Sequence, residues 1–237
     1  MGRIIPDNRL RTAADLVRQG AYFADIGTDH AYLPVFLSEE GKIAAAYASD
    51  VAEGPVTRAR EHVAAAGLTD RILVRRADGL EGLFDRFPSV TDIAVCGMGG
   101  ELIVRLLSEE PRILSEKIRL ILQPMSRPAA LRLYLAETGF SVIEERLLLA
   151  QGRIYTCIAA QYTGVPYTLS YEEAEIGAYH LASPPTPLFY RYIRERLLCE
   201  KEKIAGMKTG GRCTEKEEAF AAFLENIMKR EKTYDGE

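Results

Sequence analysis

The sequence predicts an α/β fold with a doubly wound, mostly parallel sheet, an antiparallel last strand and a small C-terminal helical hairpin. Three patterns predict it. Short apolar runs alternate with longer helix-like segments in the first half of the chain, which is typical of βαβ units with right-handed crossovers. Two strand-like runs then follow each other with no helix between them, and the last part carries two charged helical patterns separated by a Gly-Gly turn.

The first half predicts five parallel strands with helices between them. A helix over 9–19 comes first, because its apolar residues recur at helical spacing and Gly20 follows it. Each strand is a short apolar run, as expected for strands buried on both faces. The predicted strands span 21–26, 43–49, 72–75, 93–96 and 118–122, and the helices between them span 32–40, 53–66, 101–108 and 128–138.

The alternation of strands and helices ends after the fifth strand and the helix that follows it. Residues 140–149 and 153–162 are both strand-like, and only a short turn containing Gly152 joins them. Such a pair predicts an antiparallel hairpin at the edge of the sheet.

The composition changes again after Pro166, where "SPPTP" precedes a charged helical pattern, and "KTGGRC" separates it from a second helix over 215–229. Two helices joined in this way predict an antiparallel hairpin. We therefore predict a ligand-binding domain over 1–165 and a helical domain over 166–237. The apolar face of the first helix is predicted to carry Leu188, Tyr192, Leu198 and Ile204.

Composition limits the class of protein. The formal net charge is −4, no apolar run is long enough to cross a membrane, and no signal peptide is visible, so we expect a cytoplasmic protein without a membrane partner. The cysteines never form a C-x-x-C pair and the chain has 3 histidines, so no metal is expected. For the oligomeric state, a monomer is favoured. The cysteines are Cys96, Cys157, Cys199 and Cys213.

Acids and glycines follow the predicted strands at their carboxyl ends, where ligands of doubly wound sheets bind. The first strand is followed by the densest group and the fourth by a glycine-rich one. The candidate residues are Asp25, Gly27, Thr28, Asp29, His30, Asp50, Val51, Asp78, Gly79, Gly97, Met98, Gly99, Gly100 and Gln123.

The turn after the first strand disfavours phosphate ligands. A dinucleotide-binding turn starting at Gly27 would need glycine where the chain has Asp29 and Tyr32. A carboxylate there would repel a pyrophosphate, whereas it attracts the sulfonium and ammonium groups of S-adenosyl-L-methionine. Carboxylates after the second and third strands, Asp50 and Asp78, suit a ribose diol and an adenine amino group.

Simpler interpretations stay open for the same residues. Thr28, Asp29 or Asp50 alone is equally suited to capping a helix, and His30 alone to packing or hydrogen bonding. The run 97–100 fits a simple tight turn, although three glycines in four residues indicate a backbone that something approaches closely.

Five segments together resemble one family. They are "RLRTAADLVRQGAYFADIGTDHAYLPVFL", "ASDVAEGPVTRARE", "RRADGL", "AVCGMGGELI" and "ILQPM". In order, across residues 5–165, they are similar to the bacterial tRNA adenine-22 N1-methyltransferases. The resemblance implies a Rossmann-like class I methyltransferase that uses S-adenosyl-L-methionine to methylate N1 of the adenosine at position 22, in the D-loop of tRNA.

The resemblance also implies roles for the candidate residues. Asp25, Gly27, Thr28 and His30 would lie along the cofactor, Asp50 with Val51 at its ribose, and Asp78 with Gly79 at its adenine. The run 97–100 would form the wall that faces the reactive methyl group. It departs from the N/D-P-P-Y motif of methyltransferases that act on exocyclic amines, which leaves the catalytic side chain undetermined.

The reaction itself suggests two candidate catalytic residues. N1 of adenine has an in-plane lone pair and attacks the methyl group without deprotonation, so catalysis is mostly positioning and stabilisation of a positive product ring. Asp29 is the candidate for that stabilisation and His30 for orienting the base. Because N1 lies on the Watson–Crick edge, the base must be unpaired or extruded first.

Several cations are candidate tRNA contacts. Residues 190–212 hold seven bases against three acids, although the following helix is acidic. An ordinary solvated surface is the alternative for each cation. The candidate substrate-binding residues are Arg9, Arg11, Gln123, Arg127, Arg191 and Arg194.

Two other functions compete with tRNA methylation. One is a methyltransferase for another RNA, a small molecule or a protein, with the hairpin as a lid or dimer interface. The other is a non-catalytic nucleotide-binding module, which Asp29 disfavours.

Overall fold

The computed structural model describes residues 7–234, and the side chains of 7–231 within them. The chain forms two compact units, Met1–Thr168 and Leu169–Glu237.

The first unit is built on a seven-stranded sheet. Its first five strands run parallel, and the last two form an antiparallel hairpin whose second strand pairs antiparallel with the fifth. The strands are β1 Ala21–Ile26, β2 Ile43–Asp50, β3 Ile72–Arg76, β4 Asp92–Gly99, β5 Arg119–Ser126, β6 Phe140–Ala150 and β7 Arg153–Tyr162. Their order across the sheet is β3-β2-β1-β4-β5-β7-β6, so the predicted fold class is confirmed.

Helices cover both faces of this sheet. Side chains alternate between two apolar cores along each strand: Phe23 packs into one core and Ala24 into the other. The helices of this unit are α1 Asn8–Leu16, α2 Tyr32–Glu39, α3 Glu53–Ala65, α4 Leu83–Arg86, α5 Gly100–Ser108 and α6 Pro128–Glu137, with a 3₁₀ turn at Pro111–Ile113.

Helix α1 ends three residues earlier than predicted, because a tertiary contact draws the chain away. The backbone N–H of Arg18 donates to the buried carboxylate of Asp92 at 2.9 Å, and its guanidinium donates to the same group at 2.8 Å. These two hydrogen bonds connect the segment before β1 to the start of β4.

The strand before the glycine-rich run is longer than predicted. Strand β4 continues to Gly99 and α5 begins at Gly100, so the alternative of a simple tight turn at 97–100 is wrong. Gly100 is required by packing within the chain: a Cβ there would lie 2.3 Å from the carbonyl oxygen of Arg127. The close approach predicted for this run therefore comes, at Gly100, from the protein itself.

A buried ion pair fixes α6 against the β6–β7 hairpin. The guanidinium of Arg132 lies 2.6 Å from the carboxylate of Glu145, and the Thr156 hydroxyl donates to the same carboxylate at 2.6 Å. All three residues are buried. Because a buried charge that loses its partner is costly, this contact favours one register for the hairpin.

The second unit contains two long helices, α8 Pro187–Thr209 and α9 Glu215–Tyr234. They are preceded by a π-helical segment, Glu173–Gly177, and by α7 Ala178–Ala182, which the sequence analysis did not predict. Among the described residues, no helix is both long enough and apolar enough to cross a membrane.

The predicted apolar face of α8 is wrong. Its buried apolar residues are Phe189, Tyr190 and Ile193, while Leu198 is 58% exposed. At 100° per residue, Leu188 and Ile204 lie on nearly opposite sides of a helix, so the predicted residues do not share one face.

The basic stretch of this unit is matched by carboxylates. Six of its seven bases form ion pairs with acids of α8, α9 or the π-helical segment, so its local positive charge is largely compensated. The pairs are Arg191–Glu195, Arg194–Glu231, Arg196–Glu175, Lys201–Glu225, Lys203–Glu200, Lys203–Glu217 and Lys208–Glu218.

Candidate functional site

A cleft of about 490 Å³ opens at the carboxyl ends of β1, β4 and β5. Its volume lies within the usual range of small-molecule sites, roughly 300–1,000 Å³. It is lined by Asp7, Arg9, Leu10, Asp25, Gly27, Thr28, Asp29, His30, Tyr32, Leu33, Cys96, Gly97 and Gln123.

Asp25 supplies a buried carboxyl to the floor of the cleft. It is the penultimate residue of β1 and is only 6% exposed. Burial raises its pKa from 3.8 to about 6; a hydrogen bond with Thr28 lowers the pKa and the nearby Asp50 raises it. A carboxylate at this place therefore gains when a cation enters the cleft, since the cation replaces the lost solvation.

The loop after β1 is fixed by hydrogen bonds. The N–H groups of Gly27 and Thr28 both donate to the carbonyl of Ser49, at 2.8 Å each. The Thr28 hydroxyl accepts from the N–H of Ala31 at 3.0 Å. Ala31 is itself the N-cap of α2, and that helix has no side-chain cap, so Thr28 fixes the loop and the interpretation of Thr28 as a helix cap is wrong. Ala31 has a left-handed backbone, φ 53°, which is unusual for a residue with a side chain.

Asp29 and His30 lie at the wall of the cleft. The Asp29 carboxylate is exposed. It lies 3.0 Å from the Arg58 guanidinium and 3.5 Å from Nε2 of His30. The His30 ring stacks on the Tyr32 ring, with centroids 4.9 Å apart and an angle of 18° between the planes. Sequence reasoning brought Asp29 and His30 together but missed the opposite charge on Arg58.

The opposite side of the floor comes from β4 and β5. The side chain of Gln123 is buried; its Oε1 accepts from the N–H of Gly97 at 3.2 Å, and its Nε2 donates to the Pro124 carbonyl. Gly97 has φ 78°, and a Cβ built on it would meet no atom within 4 Å. The backbone there is open to a ligand. Burial raises the pKa of the Cys96 thiol well above its usual value, so this thiol stays protonated.

Asp50 lies next to the cleft without lining it. Its carboxylate accepts from the N–H of Ala52, two residues on, and is close enough to Asp25 to raise its pKa. Val51 is 56% exposed beside it. Their predicted place at a ribose stays a prediction.

Asp78 lines a different hollow, of about 350 Å³, together with Arg112 and with two acids that follow α5, Glu109 and Glu110. Gly79 has φ 54° and packs against Leu106 of α5. The predicted adenine contacts are thus not part of the main cleft in this structure. The other residues of the second hollow are Leu80, Glu81, Gly82 and Leu106.

The other two residues of the glycine-rich run, Met98 and Gly99, pack against the loop after β1 and against β5. The methyl group of Met98 covers Gly27 so closely that a Cβ on the glycine would lie 2.0 Å from it. Gly99 faces Ser126 on β5, where a Cβ would lie 3.2 Å from the hydroxyl. Their contact with a cofactor stays a prediction.

Most of the arginines predicted to bind substrate are paired with carboxylates. Arg9 lines the cleft and binds Asp7 at 2.7 Å, and Arg127 binds Glu101 at 2.7 Å. Arg11 is exposed and has no carboxylate partner among the described residues. Within that part of the chain, no group of three or more His, Cys, Asp or Glu side chains is placed to hold a metal ion.

A mostly parallel sheet with an antiparallel final strand, and an acidic cleft with no phosphate-binding glycine turn, define a class I methyltransferase. A methyltransferase-domain family model matches residues 6–158. The tRNA (adenine(22)-N(1))-methyltransferase of Bacillus subtilis (strain 168) is 35% identical over 161 residues, which cover 68% of this chain and 67% of that protein. The chain belongs to the bacterial tRNA (adenine(22)-N(1))-methyltransferase family.

Two solved structures agree with this membership. The Streptococcus pneumoniae Sp1610 structure in complex with S-adenosyl-L-methionine is 32% identical, with a TM-score of 0.82 over 94% of this chain and 100% of that chain. The B. subtilis m1A22 tRNA methyltransferase TrmK is 28% identical, with a TM-score of 0.77 over 95% of this chain and 96% of that chain.

Proposed function

We propose that this protein transfers a methyl group from S-adenosyl-L-methionine to N1 of the adenosine at position 22 of tRNA. The observation that carries the proposal is the cleft at the end of β1, where the buried carboxyl of Asp25, with a raised pKa, lies near the Asp29 carboxylate, which disfavours phosphate ligands. Family membership supplies the substrate and the target atom.

The cleft fits the chemistry of this cofactor. Asp25 offers a desolvated carboxylate to a cationic group, and the loop N–H groups of Gly27 and Thr28 are already bonded to Ser49 and do not attract an anion. Gly97 leaves room for close approach from β4. Asp50 and Asp78 remain candidates for the ribose and the adenine.

When bound, S-adenosyl-L-methionine supplies an electrophilic methyl group. N1 of adenine attacks it with its lone pair, so no residue has to remove a proton, and the protein's contribution is orientation and charge. His30 and Tyr32 offer stacked rings at the cleft wall, a surface on which an extruded base can lie. The Asp29 carboxylate lies beside His30 and stabilises positive charge that develops on the methylated ring.

Binding of tRNA would involve cations of both units. Arg9 already lines the cleft, and the charge of Arg11 has no partner within the described residues. Arg127 and the hairpin residues Arg191 and Arg194 are candidates that would have to exchange carboxylate partners for phosphates. The proposed activity places the protein with tRNA in the cytoplasm.

A methyl-transfer assay with labelled S-adenosyl-L-methionine tests the proposal. Unmodified tRNA transcripts with adenosine or guanosine at position 22 are compared, and the product is mapped by reverse-transcription stops. We expect label and a stop only with adenosine. Cofactor binding without transfer to either transcript would overturn the tRNA substrate while leaving the methyltransferase class intact.

A further inference from the structure

Helix α3 contacts two consecutive residues of the cleft loop from outside the cleft. Arg58 and His62 are four residues apart on α3, which places them one helical turn from each other. The Arg58 guanidinium donates to the Asp29 carboxylate at 3.0 Å, and Nδ1 of His62 lies 2.7 Å from the carbonyl oxygen of His30. Neither α3 residue lines the cleft.

The His62 contact fixes one form of its ring. A carbonyl oxygen only accepts hydrogen bonds, so Nδ1 of His62 must carry the hydrogen. Tyr32 lies between the two histidines: its ring stacks on His30 and meets the His62 ring edge-on, with centroids 5.2 Å apart. The position of the His30 ring is thus fixed by two contacts: the hydrogen bond from His62 to the His30 carbonyl, and stacking on the Tyr32 ring.

This loop needs such support because its backbone is strained. Ala31, directly after His30, adopts a left-handed φ of 53° while completely buried. A non-glycine residue keeps this conformation only when the surrounding contacts determine it. Those contacts are the Thr28 hydroxyl on one side and α3 on the other.

Helix α3 is a firm base for these contacts. It packs into the core of the first unit through Val56, Ala59 and Val63, all at most 2% exposed. The Arg58–Asp29 pair itself is exposed, and exposed pairs contribute little to stability. Its main effect is therefore on where the Asp29 carboxylate lies.

We infer that Arg58 and His62 are positioning residues, which hold the Asp29 carboxylate and the His30 ring at the cleft wall for methyl transfer. The inference deepens the proposed function and rests on it. Neither residue touches the reacting atoms; each acts through the loop residue that it binds.

The test compares Arg58→Gln, His62→Leu and His62→Asn with the wild type. Asparagine can place an N–H near the position of Nδ1, whereas leucine cannot. Arg60→Gln is the matched control, because Arg60 lies on the same helix and its ion pair, at 3.4 Å, is with Glu53 of α3 itself. The measurements are kcat and KM for tRNA, calorimetric binding of S-adenosyl-L-homocysteine, and hydrogen exchange of residues 27–32.

For Arg58→Gln and His62→Leu we expect kcat to fall about 10-fold to 100-fold, the usual effect of a misplaced group, with unchanged cofactor affinity and faster exchange of the loop. His62→Asn should recover most of the kcat, and Arg60→Gln should match the wild type. Unchanged kcat and loop exchange in both variants, or an equal loss in Arg60→Gln, would overturn the inference.

Failure of the proposed function is distinguishable from failure of the inference. A wild type that binds cofactor and methylates no tRNA overturns the tRNA assignment. In that event, loop exchange still decides the inference: the loop must loosen in Arg58→Gln and His62→Leu and stay unchanged in Arg60→Gln.

Discussion

Replacing Asp25 by asparagine should stabilise the protein while weakening its cofactor site. Burial raises the pKa of this carboxyl from 3.8 to about 6. Since the group is only 6% exposed, that difference of about 2 pH units corresponds to a cost of up to about 3 kcal/mol for keeping it ionised. Asparagine has nearly the same shape and no charge, so the cost disappears.

The sign of the pH dependence follows from proton binding. Between about pH 4 and pH 6 the folded wild type holds a proton on Asp25 that the unfolded chain has released, so its free energy of unfolding falls as pH rises through this window. Above about pH 6 this contribution is constant. In Asp25→Asn the slope due to this group is absent.

Urea unfolding of both proteins between about pH 4 and pH 8 measures this difference. The two free energies of unfolding should be similar at the acid end, and the variant should be more stable by up to about 3 kcal/mol at the neutral end. Its affinity for S-adenosyl-L-methionine should be lower, because a cation in the cleft loses its carboxylate. Asp70→Asn makes the same chemical change at an exposed position and serves as the control. A variant less stable than the wild type at neutral pH would refute the reasoning.

Three further predictions concern the loop, the hairpin and the surface. Gly27→Ala should lower stability by about 1 kcal/mol or more in thermal melts, because φ is 77° and the new Cβ would displace the Met98 methyl group, whereas no change would mean that the loop relaxes freely. Glu145→Leu should cost roughly 3–5 kcal/mol in urea unfolding, since the buried Arg132 charge loses its carboxylate, and a cost near zero would contradict that account. Arg11→Gln should reduce the slope of log affinity for tRNA against log salt by about 1, and an unchanged slope would remove Arg11 from the interface.

The sequence was sufficient for the sheet and for most of the cleft floor. Parallel strands place their carboxyl ends along one edge, so residues far apart in the chain, such as Asp25, Gly97 and Gln123, could be expected together. The alternation of apolar runs and helices also predicted the parallel strands, and the Gly152 turn predicted the antiparallel pair.

Most of the misses come from contacts between side chains distant in sequence. The pairing of Arg58 with Asp29 has no local signal, and neither has the separate hollow in which Asp78 lies. The predicted face of α8 failed for a local reason, since Leu188 and Ile204 lie on nearly opposite sides of the helix. The structure buries Ile193 and leaves Leu198 exposed. The acidity of the helix after the basic stretch was visible in the sequence, but the individual ion pairs with α9 were not, because some of the partners lie more than 20 residues apart.

The position of β7 also constrains how the protein is made. Strand β7 lies between β5 and β6, although it follows both in the chain. During synthesis, β6 therefore leaves the ribosome before β7, the strand with which it pairs, and that pairing is complete only after Tyr162 has emerged. Because the β6–β7 hairpin is local, it can form first and add to β5 as one piece, so we expect a nascent chain truncated within β7 to expose the open edge of β5 to chaperones.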